Sequence, residues 1–170
     1  MDYKMFKAIN RPGQYSLMDM LMILISKKAR YVFIFVLGII WFRSDSDKKV
    51  VLNAVKSTVF TLLIDTLIKL FYFKPRPFMK RRVGILIPSK MDSSFPSKHT
   101  LLAFAVSTSF ILRVRVLGLF MMGLSVLTGL SRIWVGHHYP SDIIGSAFIG
   151  SITSVVIDKT SRYFNSFVRL

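Results

Sequence analysis

Residues Val116–Ser131, VLGLFMMGLSVLTGLS, run for sixteen positions without a charge, and RIWVGHHYPSD, Arg132–Asp142, follows at once. An apolar segment that ends on an arginine and is followed by two histidines and an aspartate reads as a membrane helix delivering polar chemistry to one face. Sixteen residues fall short of a full uncharged span. Arg115 and Arg132 at its ends can snorkel and lengthen it. Outward from this stretch, Ile143–Ile157 and Thr100–Leu112 are also uncharged, and Val50–Phe73 is broken only by Lys56, Asp65 and Lys69. Tyr31–Phe42 carries no charge, and Ser16–Ser26 is apolar apart from Asp19. These segments predict an all-α polytopic membrane bundle of about six helices, the first only partly embedded. With no internal repeat or linker-like stretch, residues 1–170 form a single domain.

Composition agrees. Hydrophobic residues make up 52% of the chain and the mean hydropathy is +0.51, which excludes intrinsic disorder and suits an ordinary soluble surface poorly. Lys and Arg total 24 against 8 acids, all of them Asp, for a net charge of +16. Such basicity often marks nucleic-acid binding. Here the cations cluster between apolar stretches, as at membrane ends, and no nucleic-acid partner is expected. The absence of cysteine excludes disulfides, thiol catalysis and cysteine-based metal sites. No signal-peptide pattern opens the sequence, so no cleaved leader is expected.

The longest non-apolar stretch is Lys74–Lys98, a second short polar segment is Arg132–Asp142, and alternating spans place both on one membrane face. All three histidines, His99, His137 and His138, lie in or beside them. Three patterns stand out: Lys69 followed after six residues by Arg76-Pro77; Phe95-Pro96-Ser97-Lys98-His99; and Ser131-Arg132 followed by His138 and Asp142. Cations and imidazoles gathered at one rim suit phosphoryl transfer, which needs charge on the equatorial oxygens and a nucleophile and an acid roughly in line. Pro96 and Pro140 sit where first helical residues are favoured. Ser97–His99 would then occupy an opening helical turn whose free N–H groups face an anion. Asp142, four residues after His138, is close enough to hold one ring nitrogen and leave the other free to attack.

Together these motifs resemble the type 2 phosphatidic acid phosphatase (PAP2) superfamily, and their wording resembles most its bacitracin-resistance branch of undecaprenyl-diphosphate phosphatases. The resemblance implies a six-helix core and hydrolysis of a lipid diphosphate, most closely undecaprenyl diphosphate, with membrane lipids as the surroundings and no metal or other cofactor. It further implies that His138 attacks phosphorus to form a phosphohistidine, with Asp142 orienting its ring, while His99 protonates the leaving oxygen. Lys69, Arg76, Ser97, Lys98 and Arg132 would hold the phosphate. Lys98 departs from the family's usual glycine between Ser and His, as the bacitracin-resistance branch does, and offers a cation for the second phosphate. The resemblance also implies a cell-membrane protein with its site on the extracytoplasmic side.

Plainer readings stand beside these. Lys69 could snorkel or pair with Asp65; Asp142 could be a favourable first-turn carboxylate; Ser97 could be an ordinary helix-start residue. The regular motif spacing favours the chemical roles. His137 falls one place off the motif and receives none. Lys80, Arg81 and Arg82 read as a headgroup-binding run, and Lys56 has no specific role. The competing functions are a phosphatidylglycerophosphate or phosphatidate phosphatase, a metal-dependent hydrolase using His99, His138 and Asp142, and a membrane transporter whose charges line a pathway. With Lys4, Lys7 and Arg11 placed opposite the motif loops, cation counting is neutral on orientation. The sequence leaves the oligomeric state open.

Overall fold

The structure, a computed structural model, describes residues 2–13 and 16–167. Its elements are α1 (Asp2–Ile9), α2 (Ser16–Arg43), α3 (Asp45–Phe71), α4 (Pro77–Lys80), α5 (Lys98–Ile111), α6 (Arg115–Trp134) and α7 (Pro140–Phe167). The described residues contain no strand, as the apolar segments predict. Asp47–Phe71, Arg115–Trp134 and Pro140–Phe164 are each long and apolar enough to cross a membrane, and the chain is an integral membrane protein.

Helix α5 is the hub, packed on α3, α6 and α7. Leu101, Ala105 and Phe110 on it are fully buried. Among its other buried side chains are small hydroxyls that join the helices: Ser109 to Ser154 at 2.7 Å, Thr108 to Ser151 at 3.1 Å and Ser107 to Ser125 at 3.1 Å. Small polar residues let helix backbones approach closely where water is absent. Gly150 is the extreme case: a Cβ there would run into the Leu101 carbonyl oxygen and lie 3.2 Å from the Ala105 nitrogen. A second cluster, containing Phe33, Ile40, Val50, Ala54, Val106 and Met121, fills the space between α2, α3, α5 and α6.

Two expectations need correction. The stretches read as separate helices, Ser16–Ser26 and Tyr31–Phe42, form one continuous α2 of 28 residues. The Lys27-Lys28-Ala29-Arg30 run between them has no glycine or proline and consists of good helix formers, so it carries charge without breaking the helix. Five long helices therefore replace six, and the segment before α2 changes sides. Helix α1 sits on the motif rim: Asn10 donates to the carbonyls of Gly84, at 3.2 Å, and Trp134, at 2.6 Å. Lys4, Lys7 and Arg11 accordingly belong to the motif side, not the opposite one. Asp19, on the first turn of α2, accepts from the Trp134 indole at 2.7 Å and fixes that helix to the end of α6.

Candidate active site

Two connections make the rim. Residues 72–97, including α4, link α3 to α5, and residues 135–139 link α6 to α7. The second closes tightly at Gly136, whose φ of +88° suits glycine and whose Cα lies against Gly84, so that a Cβ would come within 2.5 Å of the Gly84 carbonyl oxygen. Pro140 opens α7 as expected. Pro96 instead lies two residues ahead of α5, whose N-cap is Ser97 with extended backbone (φ −78°, ψ 102°). The N–H groups of Lys98 and His99, in the first turn, have no carbonyl to meet within the helix.

Arg76, His99, Arg132 and His137 line a cleft of about 440 Å³, with Arg30 and Asp92 at its edge. Both guanidiniums are nearly buried. Arg76 is held by Asp92, at 2.9 Å from Nε and 2.8 Å from Nη2. Arg132 donates from Nη1 to Ser26 Oγ at 2.6 Å, and its buried Nε has no partner. A buried guanidinium N–H without an acceptor is costly, and an anion in the cleft would satisfy it.

His138 is itself buried and does not line the cleft, but it lies within reach of the charges of both arginines. Its Nδ1 lies 2.6 Å from the Ser94 carbonyl oxygen, which fixes Nδ1 as the protonated nitrogen and leaves Nε2 with its lone pair. Burial, then the charges of Arg132 and Arg76, hold its pKa well below 6.5. The ring is neutral at neutral pH, as a nucleophile requires. Asp142 does not touch the ring as the spacing suggests: its Oδ2 is 4.0 Å from Nδ1. The fully buried carboxylate instead accepts from the Ser94 hydroxyl, from the Tyr139 N–H at 2.9 Å and from Lys74 Nζ at 2.6 Å. Lys74 also reaches Ser141 Oγ at 2.8 Å and Asp2 Oδ2 at 3.3 Å. Burial works against the charge on Lys74, but the bond to Asp142 and the charges of Asp142 and Asp2 outweigh it and raise its pKa. Asp142 thus steadies the residue that holds His138, one bond removed from the ring.

The other motif residues divide. Lys69 is bound to Asp65 at 2.8 Å and does not line the cleft. Ser97 is fully buried, its Oγ 3.1 Å from Thr100 Oγ1 and its N–H bonded to Ser146 Oγ at 2.7 Å. Lys98 faces an apolar groove of about 420 Å³ between α2 and α5, lined also by Phe33, Ile34, Leu37, Leu102 and Val106. His99 and Arg30 border both the groove and the cleft, so the two are continuous. His137 donates from Nε2 to the Ile87 carbonyl oxygen, 2.7 Å away; burial and Arg132 lower its pKa to about 4.

Asp2, Ser26, Lys74, Asp92 and Ser94 are the residues that the sequence did not single out individually. Lys74 and Ser94 lie within the polar stretch, and only the position of Ser94 just ahead of Phe95-Pro96 was a signal. Asp2 and Ser26 lie 139 and 106 residues from their partners Ser141 and Arg132, and no local pattern reveals such pairs. Among the described residues, no group of three His, Cys, Asp or Glu side chains is placed to hold a metal. Both oxygens of Asp142 are already occupied by protein donors.

Comparison with known proteins shows the family. The chain is 40% identical, across its whole length and 89% of the relative's, to undecaprenyl-diphosphatase BcrC of Bacillus subtilis. It is 30% identical to an undecaprenyl-diphosphatase of Sulfolobus acidocaldarius, over 92% of this chain and 78% of that one. The crystal structure of Aquifex aeolicus LpxE superposes with a TM-score of 0.80 at 25% identity, covering 93% of this chain and 94% of the other. A PAP2-type phosphatidylglycerolphosphate phosphatase from Bacillus subtilis shares the fold, with a TM-score of 0.68 at 15% identity over 95% of this chain and 85% of that one. The profile of the PAP2 superfamily matches residues 50–165, and with its arginine pair, its histidines and its helical frame the chain belongs to that superfamily.

Proposed function

We propose that the protein is an integral membrane phosphatase that hydrolyses undecaprenyl diphosphate to undecaprenyl phosphate and inorganic phosphate through a phosphohistidine. One observation carries the chemistry: Arg132, whose buried Nε has no partner, lines one cleft with Arg76 and His99, and the charges of both arginines act on the neutral ring of His138. The terminal phosphate would take the place that Asp92 now fills on Arg76 and meet the open N–H groups of Lys98 and His99. Nε2 of His138 attacks phosphorus, the bond to the bridging oxygen breaks, and His99 protonates that oxygen as undecaprenyl phosphate leaves. Water then attacks phosphorus and gives its proton to the now neutral His99, and the P–N bond breaks to release phosphate and neutral His138. Ser94 holds the ring; Asp142 and Lys74 position Ser94. We keep Lys69 among the phosphate-holding cations on its spacing to Arg76; to reach the substrate its ammonium has to leave or share Asp65. Ser97 acts through its place at the N-cap, and Lys98 through the second phosphate.

The apolar groove that continues from the cleft suits the first isoprene units, and Lys98 stands where head and chain meet. The site would face the extracytoplasmic side of the cytoplasmic membrane, where the lipid diphosphate is released. With α1 on the motif side, the bare cation count gives that orientation no support, because the cations that bind phosphate lie on the same side. The test is phosphate release in detergent with EDTA present. The expected result is faster turnover of undecaprenyl diphosphate than of phosphatidylglycerophosphate or phosphatidate. A preference for either glycerophospholipid overturns the substrate assignment, and loss of activity in EDTA overturns the metal-free mechanism.

A further inference from the structure

A second basic cleft lies at the other end of the bundle, and the phosphatase chemistry makes no use of it. It opens between the start of α3, the link from α5 to α6 and the end of α7, with a volume of about 880 Å³. Its charged lining is Lys49, Lys56, Arg113 and Arg162. Two of these are fixed in place. Asp158, only 2% exposed, binds Arg113 at 2.8 Å and Arg162 at 2.7 Å and lies 3.3 Å from Asn53 Nδ2. One carboxylate shared by two guanidiniums leaves the cluster positive. Lys49 and Lys56 have no acidic partner among the described residues.

Lys56 is the informative member. It stands seven residues into α3 from Lys49, about 10 Å along the axis, inside a segment apolar enough to span the membrane. A lone cation at that depth is unfavourable unless its long side chain reaches the interface or meets an anion. Its neighbours in the cleft supply apolar walls on both sides, Leu52 and Phe60 from α3 and Ile157 and Phe164 from α7. Cations at the interface end and apolar rails running into the membrane match a phosphate headgroup with acyl chains, as in basic pockets between membrane helices. Free phosphate would use the cations and gain nothing from the rails.

We propose that the cleft formed by Lys49, Lys56, Arg113 and Arg162 binds the phosphate headgroup of an anionic phospholipid in the leaflet opposite the active site. A lipid seated there touches α3, the α5–α6 link and α7 together, so it stabilises the bundle by binding the folded state alone. The proposal is independent of the substrate assigned above.

The test uses the full chain in nanodiscs of phosphatidylcholine with and without phosphatidylglycerol, with retained lipid counted by native mass spectrometry and Tm measured in parallel. Wild-type protein should retain phosphatidylglycerol and gain Tm from it, with no gain from millimolar inorganic phosphate. In Lys49→Gln/Lys56→Gln, which leaves the Asp158 network whole, affinity should fall about fivefold per lysine, the equivalent of ~1 kcal/mol each. Lys4→Gln/Lys7→Gln removes the same charge from α1 on the motif rim and should retain the lipid. Equal retention by wild type and Lys49→Gln/Lys56→Gln overturns the proposal. So does an equal loss in Lys4→Gln/Lys7→Gln, which would mean diffuse surface charge, or an equal Tm gain from inorganic phosphate, which would mean a free-anion site.

Discussion

In the proposed reaction His138 is a nucleophile because its surroundings refuse it a proton. Burial and the two guanidiniums keep the ring neutral, and the Ser94 carbonyl decides which nitrogen stays bare. The acid-side limb of kcat/KM that belongs to His138 should therefore lie well below pH 6.5, once substrate ionisation is subtracted; a limb at or above 6.5 would contradict this environment. The same depression means that the unfolded chain takes up a proton near pH 6.5 while the folded chain does not, so His138 makes folding less favourable as pH falls below that value. Asp92 offers a second residue-level prediction. Its half-exposed carboxylate occupies Arg76, and in the proposed reaction substrate displaces it. Asp92→Asn should lower KM about two- to fivefold with kcat little changed, in keeping with ~0.5–1 kcal/mol for a partly exposed pair. A higher KM would show that Asp92 helps hold the arginine for catalysis.

Among the elements, the two rim connections and α1 are tied together at Lys74. Its ammonium joins Asp142 at the head of α7 to Asp2 on α1, and its backbone carbonyl accepts from the Ser94 N–H at 2.7 Å. Lys74→Met would leave the buried Asp142 carboxylate without its cation, at a cost of about 3–5 kcal/mol, read as a lowered Tm together with a reduced kcat. Lys74→Arg should recover part of both, and an unchanged Tm in Lys74→Met would remove Lys74 from this role. Here the limits of the sequence are physical. His99, Arg132 and His138 were legible because each stands at a junction between an apolar run and a polar connection, where spacing survives folding. The bond from Asp142 to Ser94 in place of the ring was not, since i,i+4 proximity says nothing of which way the carboxylate turns. The unbroken α2 was misread for a related reason: Lys27, Lys28 and Arg30 mark the level of the cleft in space, while the backbone runs on through them.

For the whole molecule, five long helices place α1 and the motif loops on one side and the end of α7 on the other. The chain contains no cysteine, so single substitutions report topology without background. Lys4→Cys and Lys90→Cys should react with a membrane-impermeant thiol reagent from the same side of sealed vesicles, and Thr160→Cys only from the other. Labelling of Lys4→Cys and Lys90→Cys from opposite sides would restore the six-helix count. The all-α bundle itself was readable from hydropathy, because membrane helices must bury their own backbone groups. The side on which α1 lies depends on whether the number of spans is odd or even, and a single misread boundary reverses it.

Whether His138 is the nucleophile is decided by phosphate release from undecaprenyl diphosphate by wild type and His138→Ala, assayed side by side in detergent with EDTA and matched for Tm. The expected result is turnover by the wild type and a loss on the order of 10³-fold or more in the variant. Near-normal turnover by His138→Ala would contradict it.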